Sequence, residues 1–270
     1  MSYFAPPRPR VFGHRGAAGV APENTLASFA LAAALGAEYL ELDVHATADG
    51  TVVVLHDATL ERTTDGRGAV RERPWSEIAR LDAGHAFTHD GRNFPYRGQG
   101  IGIPPLEAVL ERYPTHRFNI EIKQAEPCIV DAVVGLLQRT GAAKRTLLAA
   151  EHDDIMARIR SAVSREVATG MSSGDAVAFY DRIGSGDWNG YVAPGQALQI
   201  PVEFAGMTLV SEASLAAARR AGLEMHVWTI NDPAEIERLL DLGVDGIMTD
   251  RPSVLKQVLV DRGEWHGSVA

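Results

Sequence analysis

Short apolar runs alternate with amphipathic stretches along almost the whole chain. Eight runs read as strands: Arg10–Gly13, Tyr39–Val44, Val52–His56, Phe118–Lys123, Arg145–Ala150, Glu166–Gly170, Met225–Thr229 and Gly246–Asp250. Ala197–Ile200 is a ninth candidate. Between them lie segments with helix-end signals. One helix is expected from about Thr25 to Leu35, stopped by Gly36, and another from Ser211 to Gly222. A third has Asp232 as N-cap, Pro233 at its first position, Glu235 where a capping box places a carboxylate, and Gly243 at its end. Alternation of this kind predicts βα units on a mainly parallel sheet. The runs fit a closed α/β barrel with the strand count open by one.

One stretch breaks the rhythm. Residues 57–103 are rich in Gly, Arg and aromatics and hold at most a short helix near Pro74–Leu81. A structureless loop of that length is unusual inside a compact domain, so the stretch reads as a functional insertion following a strand. Its aromatics Trp75, Phe87, Phe94 and Tyr96 argue against a disordered linker. The length of 270 residues suits one barrel, a single domain over 1–270 with this insertion.

The informative departures from the apolar pattern fall at strand ends. Alternate residues of a strand share a face. Glu41 and Asp43 therefore lie together, as do Asn119, Glu121 and Lys123, and His226 with Trp228. Ionisable groups within apolar strands are costly to bury unpaired. A salt bridge explains Glu121 with Lys123, but not the gathering of such groups at C-terminal strand ends, where barrels build their active sites. Three carboxylates from two strands suit a hard divalent cation, which makes Glu41, Asp43 and Glu121 the metal candidates. Without a cysteine pair or a His-rich spacing, zinc is disfavoured. A cation there would offset carboxylate repulsion and polarise an oxygen of a bound substrate. His14 and His56 also end strands in this array and are the candidates for proton transfer near neutral pH. Arg15 and Lys123 are candidates to neutralise negative charge that develops in a transition state. The remaining histidines read mostly as surface or loop residues, with His226 the one to watch. Between Asp43 and His56 there is no room for a crossover helix, so the Ala48-Asp49-Gly50 turn joins the two strands as a hairpin or a tight crossover. A hairpin would set His56 roughly opposite Leu42.

Composition narrows the partners. A net charge of −9 opposes general polyanion binding and adsorption to anionic membranes, yet permits a small phosphodiester if a cation shares the site. No stretch is apolar and long enough to span a bilayer, and the proline-containing start lacks a secretory pattern, so a cytoplasmic protein without stable membrane insertion is expected. The single cysteine, Cys128, reads as a buried thiol at a helix start.

Taken in order, Gly13-His14-Arg15-Gly16, Pro22-Glu23-Asn24-Thr25, Glu41-Leu42-Asp43-Val44, Thr47-Ala48-Asp49-Gly50 and Leu55-His56-Asp57 form a pattern. It continues through Leu60-Glu61-Arg62-Thr63-Thr64, Glu121-Ile122-Lys123, Val227-Trp228-Thr229-Ile230-Asn231 and Asp245-Gly246-Ile247-Met248-Thr249-Asp250-Arg251-Pro252. This resembles the glycerophosphodiester phosphodiesterase family over nearly the whole chain. The resemblance implies a TIM-type (β/α)8 barrel with a small inserted subdomain after the third strand. It implies hydrolysis of glycerophosphodiesters to glycerol 3-phosphate and an alcohol, with one Mg²⁺ or Ca²⁺ on Glu41, Asp43 and Glu121. It makes His14 and His56 the acid–base pair, Arg15 and Lys123 phosphate contacts, and Trp228 a pocket residue. Residues 151–204 depart most from the family pattern, with Ala150-Glu151-His152 where a Ser-Phe pair is often found. A lysophospholipase D acting on lipids would use the same site and would show an apolar groove rimmed by the insertion. A non-catalytic phosphodiester-binding module would have no need of both histidines.

Overall fold

The structure, a computed structural model, describes residues 2–266; Met1 and residues 267–270 lie outside the described residues. The described residues hold eleven strands in chain order. They are β1 (Arg10–Gly13), β2 (Tyr39–Ala46), β3 (Val52–Val54), β4 (Arg117–Ile122), β5 (Thr146–Ala149), β6 (Ala168–Thr169), β7 (Ala197–Ile200), β8 (Glu203–Phe204), β9 (Met207–Thr208), β10 (Glu224–Val227) and β11 (Gly246–Thr249). Eight of them form one parallel sheet in the order β6-β5-β4-β2-β1-β11-β10-β7. A parallel bridge between Gly170 and Ala197 joins its two ends, giving a nearly closed barrel of the TIM type.

The strand reading from the sequence needs one exchange. Val52–His56 is not a stave of the barrel: β3 pairs antiparallel with β2, with Val54 opposite Val44 and Val52 opposite Ala46. Ala197–Ile200 takes the vacant place, paired in parallel with β10. The reason is connection length, since the turn between β2 and β3 is too short for a crossover and only a hairpin can be made. The same register carries His56 to a position opposite Leu42, and Leu55 N–H donates to Asp43 O at 3.0 Å.

Strand parity sorts the side chains. Along β2, Leu40, Leu42 and Val44 pack outward into the main core beneath the helices. Each such fully buried aliphatic contributes roughly 1.5–3 kcal/mol. The opposite parity, Tyr39, Glu41 and Asp43, faces the barrel interior, where Tyr39 packs with Tyr3, Phe12, Leu147 and Met248. Polar groups cross the lower interior. Arg10 donates to Glu224 and to the Tyr39 hydroxyl, and Gln199 Nε2 donates to Asn119 at 2.7 Å. The segment before β1 covers this end of the barrel: the Tyr3 hydroxyl donates to Asn119, and the Tyr39 hydroxyl donates to Tyr3 O. His226 belongs to this layer. It is wholly buried, against Phe12, Gln199 and Glu224, and takes no part in the mouth of the barrel. His45, expected at the surface, is also buried, with Nε2 donating to His56 O at 3.0 Å.

The expected helix ends are found with small differences. The first helix is Leu26–Ala34, with the Thr25 hydroxyl accepting from Ser28 N–H. Ser211 caps Glu212–Arg220. Asp232 caps Pro233–Leu242, but the reciprocal half of the capping box is missing, because Glu235 pairs with Arg238 instead. Cys128 is only half-buried and sits just before the helix Val130–Arg139. Residues 57–103 carry a 3₁₀ turn at Val70–Glu72 and a short helix at Trp75–Ile78. They gather a separate small cluster of Leu60, Val70, Ile78, Ala83 and Ile103 on Val53 of β3 and on Leu55 just after it. Two contacts tie the segment to the loop after β1: Tyr96 donates to Val20 O and Arg62 pairs with Glu23. Among the described residues, no helix is long and apolar enough to cross a membrane.

Candidate active site

Two neighbouring strands bring the three acidic residues together. Glu41 and Asp43 rise from β2, and Glu121, next in register to Asp43, from β4. Each offers an oxygen within 4.8 Å of the other two. Glu41 and Asp43 are almost wholly buried, whereas Glu121 is half-buried. Lys123 Nζ lies 2.7 Å from Glu121 and 3.4 Å from Asp43. Arg15 Nε lies 3.3 Å from Asp43, and its backbone N–H donates to Glu41 at 2.8 Å. Arg15 adopts the left-handed region, φ 51, which turns that N–H inward. For a non-glycine residue this costs roughly 1–2 kcal/mol. Gly16 next to it is held tightly on the first helix, since a Cβ there would meet Ser28 Oγ at 2.4 Å. Asn24 completes the group by donating Nδ2 to Asp43 at 2.9 Å.

The electrostatics follow from burial and neighbours. Burial, reinforced by Asp43, pushes the Glu41 carboxyl up to about 7. Burial also opposes charge on Asp43, but Lys123 and Arg15 outweigh it and hold the carboxyl below its ordinary value. The pair thus cannot both hold full charge without further positive charge nearby. A cluster of buried carboxylate oxygens in that condition fits a hard cation such as Mg²⁺ or Ca²⁺.

Both histidines stand at this cluster, each tethered by Nδ1. His14 Nδ1 is 2.7 Å from Asp250, and its Nε2 is 4.0 Å from Glu41. Asp250 is itself fixed by the Asn231 amide at 2.7 Å. Burial disfavours a charged His14, but Glu41 and the Asp250 hydrogen bond more than compensate and raise its pKa. His56 Nδ1 is 2.7 Å from Asp57. Asp57 is held by Arg62, whose hydrogen bond is the main cause of its carboxyl falling to about 2.

The structure therefore brings His14, His56, Arg15, Lys123, Glu41, Asp43 and Glu121 to one end of the barrel. Trp228 directly follows β10, with its side chain partly exposed and its backbone N–H donating to Ile200 O. Sequence reasoning missed the residues that hold these in place: Asp250, Asn231, Asp57, Asn24, Glu23 and Arg62. All six stand in the motifs quoted above, and Asp57 beside His56 and Asp250 at the end of β11 carried a local signal as well. The partners that the others hold became visible only through packing.

A parallel barrel with charged and imidazole groups converging on one mouth defines an enzyme-type site at the C-terminal ends of the strands. Comparison with known proteins narrows that class. The model of the glycerophosphoryl diester phosphodiesterase family matches residues 14–254, and the chain belongs to this family of enzymes. It is 33% identical over 257 residues to a glycerophosphodiester phosphodiesterase of Caldanaerobacter subterraneus subsp. tengcongensis, covering 91% of this chain and 95% of the relative. The crystal structure of a glycerophosphodiester phosphodiesterase from Agrobacterium tumefaciens superposes with a TM-score of 0.74 at 31% identity, covering 91% of this chain and 98% of that one. A phosphodiesterase of Oleispira antarctica, solved with the product sn-glycerol-3-phosphate, gives a TM-score of 0.76 at 28% identity, covering 93% and 97%.

Proposed function

We propose that this chain hydrolyses glycerophosphodiesters to glycerol 3-phosphate and an alcohol, with His14 and His56 as the acid–base pair. One divalent cation, Mg²⁺ or Ca²⁺, is held by Glu41, Asp43 and Glu121 in this reading. When bound, it supplies Lewis-acid polarisation of a phosphoryl oxygen and neutralises the buried carboxylates. The observation that carries the proposal is the pair of histidines, each tied through Nδ1 to its own carboxylate, beside a single carboxylate cluster.

The tether fixes what each ring can do. With Nδ1–H donating to a carboxylate, a neutral ring presents a bare Nε2 that can accept a proton. A charged ring presents Nε2–H and can donate one. One histidine takes the proton from the attacking hydroxyl as the new P–O bond forms. Water gives glycerol 3-phosphate directly, whereas the glycerol moiety's own hydroxyl gives a cyclic phosphodiester, which water opens in a second step with the two histidines' roles exchanged. The other delivers a proton to the departing alcohol oxygen as the old P–O bond breaks. Among the residues brought to this mouth, none is a serine or cysteine placed to form a covalent intermediate. Arg15 and Lys123 bear on the phosphoryl oxygens and stabilise charge that builds in the transition state. Trp228 lines the pocket beside the glycerol or the leaving group.

Turnover of glycerophosphocholine with added Mg²⁺ tests the activity. His14→Ala and His56→Ala should each lower turnover by a factor of roughly 10² to 10⁴, with a smaller effect on KM. A p-nitrophenyl ester, whose leaving group needs no proton, should restore much of the rate in the variant lacking the general acid and none in the other. Near-normal turnover of both variants, or equal rescue of both, would reassign the histidines as phosphate-binding or metal-shell residues.

A further inference from the structure

Arg62 comes from the inserted segment, outside the barrel strands that carry the site. Its guanidinium grips two carboxylates from separate loops, one after β1 and one after β3. Nε and Nη2 donate to Asp57 at 2.6 and 3.0 Å. Nη1 and Nη2 donate to Glu23 at 2.8 Å each. Both partners are engaged inward. Asp57 meets His56 Nδ1 at 2.7 Å, and Glu23 accepts from Arg15 Nη1 at 3.0 Å. One planar fork thus closes an unbroken chain from Arg15 through Glu23, Arg62 and Asp57 to His56.

The arrangement is built rather than incidental. Arg62 sits on a turn pinned by the buried Leu60 and Thr64, with Thr64 Oγ1 donating to Leu60 O at 2.7 Å. Its side chain is 45% exposed, so as an ion pair it adds little to stability. What it can add is orientation. Asp57 lies on a loop beyond the end of β3 and, left alone, would turn freely beside His56. A bidentate guanidinium fixes both oxygens of a carboxylate, which an ammonium cannot do.

Resting on the acid–base reading above, we infer that Arg62 is a positioning residue for the reaction. It orients His56 through Asp57 and steadies Arg15 through Glu23. The inserted segment therefore contributes to the chemistry itself as well as flanking the mouth. Aligning a reacting group is worth a great deal: a displacement of about 1 Å can lower rate about 10²-fold.

Steady-state kinetics on glycerophosphocholine with saturating Mg²⁺ test this, using Arg62→Ala and Arg62→Lys in the wild-type and His56→Ala backgrounds. With His56 present, Arg62→Ala should lower kcat about 10- to 100-fold while the melting temperature barely moves. In the His56→Ala background the further loss should shrink to under about threefold, because the Asp57–His56 arm is gone and only the weaker steadying of Arg15 through Glu23 remains. Arg62→Lys should recover only part of the rate, and millimolar guanidinium should partly rescue Arg62→Ala. A kcat for Arg62→Ala within twofold of wild type, or an equal loss in both backgrounds, overturns the inference alone. Near-normal turnover of His56→Ala by itself overturns the acid–base reading and this inference together.

Discussion

The tether on His14 offers the sharpest test of the site, through Asp250→Asn. The carboxylate accepts from His14 Nδ1 at 2.7 Å on one oxygen and from the Asn231 amide at 2.7 Å on the other. Asn231 Oδ1 is occupied in turn by Asp250 N–H and the Thr249 hydroxyl, both at 2.9 Å, so that amide cannot flip without losing two bonds. The substituted amide must then place its oxygen toward Asn231 and its NH₂ toward His14. His14 Nδ1 would have to accept, and the proton would move to Nε2, the wrong nitrogen for a neutral base. Losing the charge-assisted bond alone removes about 1.5–3 kcal/mol, or roughly 10- to 150-fold in rate if it is expressed fully in the transition state. The tautomer change can carry the loss toward 10⁴, the size seen when the analogous aspartate of a serine protease triad becomes asparagine. Asp250→Ala loses the charge but leaves Nδ1 free to donate to water, so it should be less damaged. The pH dependence has a definite sign. Burial lowers the His14 pKa, while Glu41 and Asp250 raise it above its ordinary value. Removing Asp250's charge leaves burial less opposed, so the limb of the kcat profile that reports His14 should move to lower pH. Stopped assays of glycerophosphocholine turnover across pH 5–9, with melting curves as a fold control, would measure both effects. Turnover of Asp250→Asn within twofold of wild type, or an alanine variant worse than the asparagine one, would refute the reasoning.

Two further outcomes follow from the same geometry. Exhaustive chelation should abolish activity and either Mg²⁺ or Ca²⁺ should restore it, because Glu41, Asp43 and Glu121 converge within 4.8 Å; full activity of the chelated enzyme would remove the metal from the mechanism. Glu224 bears on stability rather than chemistry. Burial opposes its charge, but hydrogen bonds from Arg10 and His226 hold it down at about 2. Its folded pKa is depressed, so its contribution is present above the unfolded value near 4.3 and fades as pH falls toward about 2. That contribution is about 2 kcal/mol once partial solvent screening is allowed for. Urea melts should find Glu224→Gln destabilised by at least that much at pH 7, since the buried Arg10 loses its charged partner, and the gap should narrow at pH 3. An unchanged gap would count against the assignment.

Much of the site could be read from strand parity. Glu41 and Asp43 share a face because a strand repeats every second residue, whatever surrounds it, and the same holds for Glu121 with Lys123. Their place at strand ends, with His14 and His56, followed from the alternation of apolar runs and helical patterns. Helix caps at Thr25, Ser211 and Asp232 were equally local. Partner choice was not. His14 finds Asp250 across 236 residues of chain, and Arg62 finds Glu23 across 39. Nothing in the composition of either segment names the other. The eighth stave was also a tertiary decision: Ala197–Ile200 is a weak strand by itself and earns its place by pairing with β10, while the stronger run at Val52–Val54 is turned back by a short hairpin. His226 shows the same division in reverse. Its parity with Trp228 is legible, but two residues of rise along β10 separate the dry lower layer of the barrel from its open mouth. Periodicity along one strand tells which way a side chain points. How deep it lies, and which charge meets it there, depends on how the other strands are sheared and closed around it.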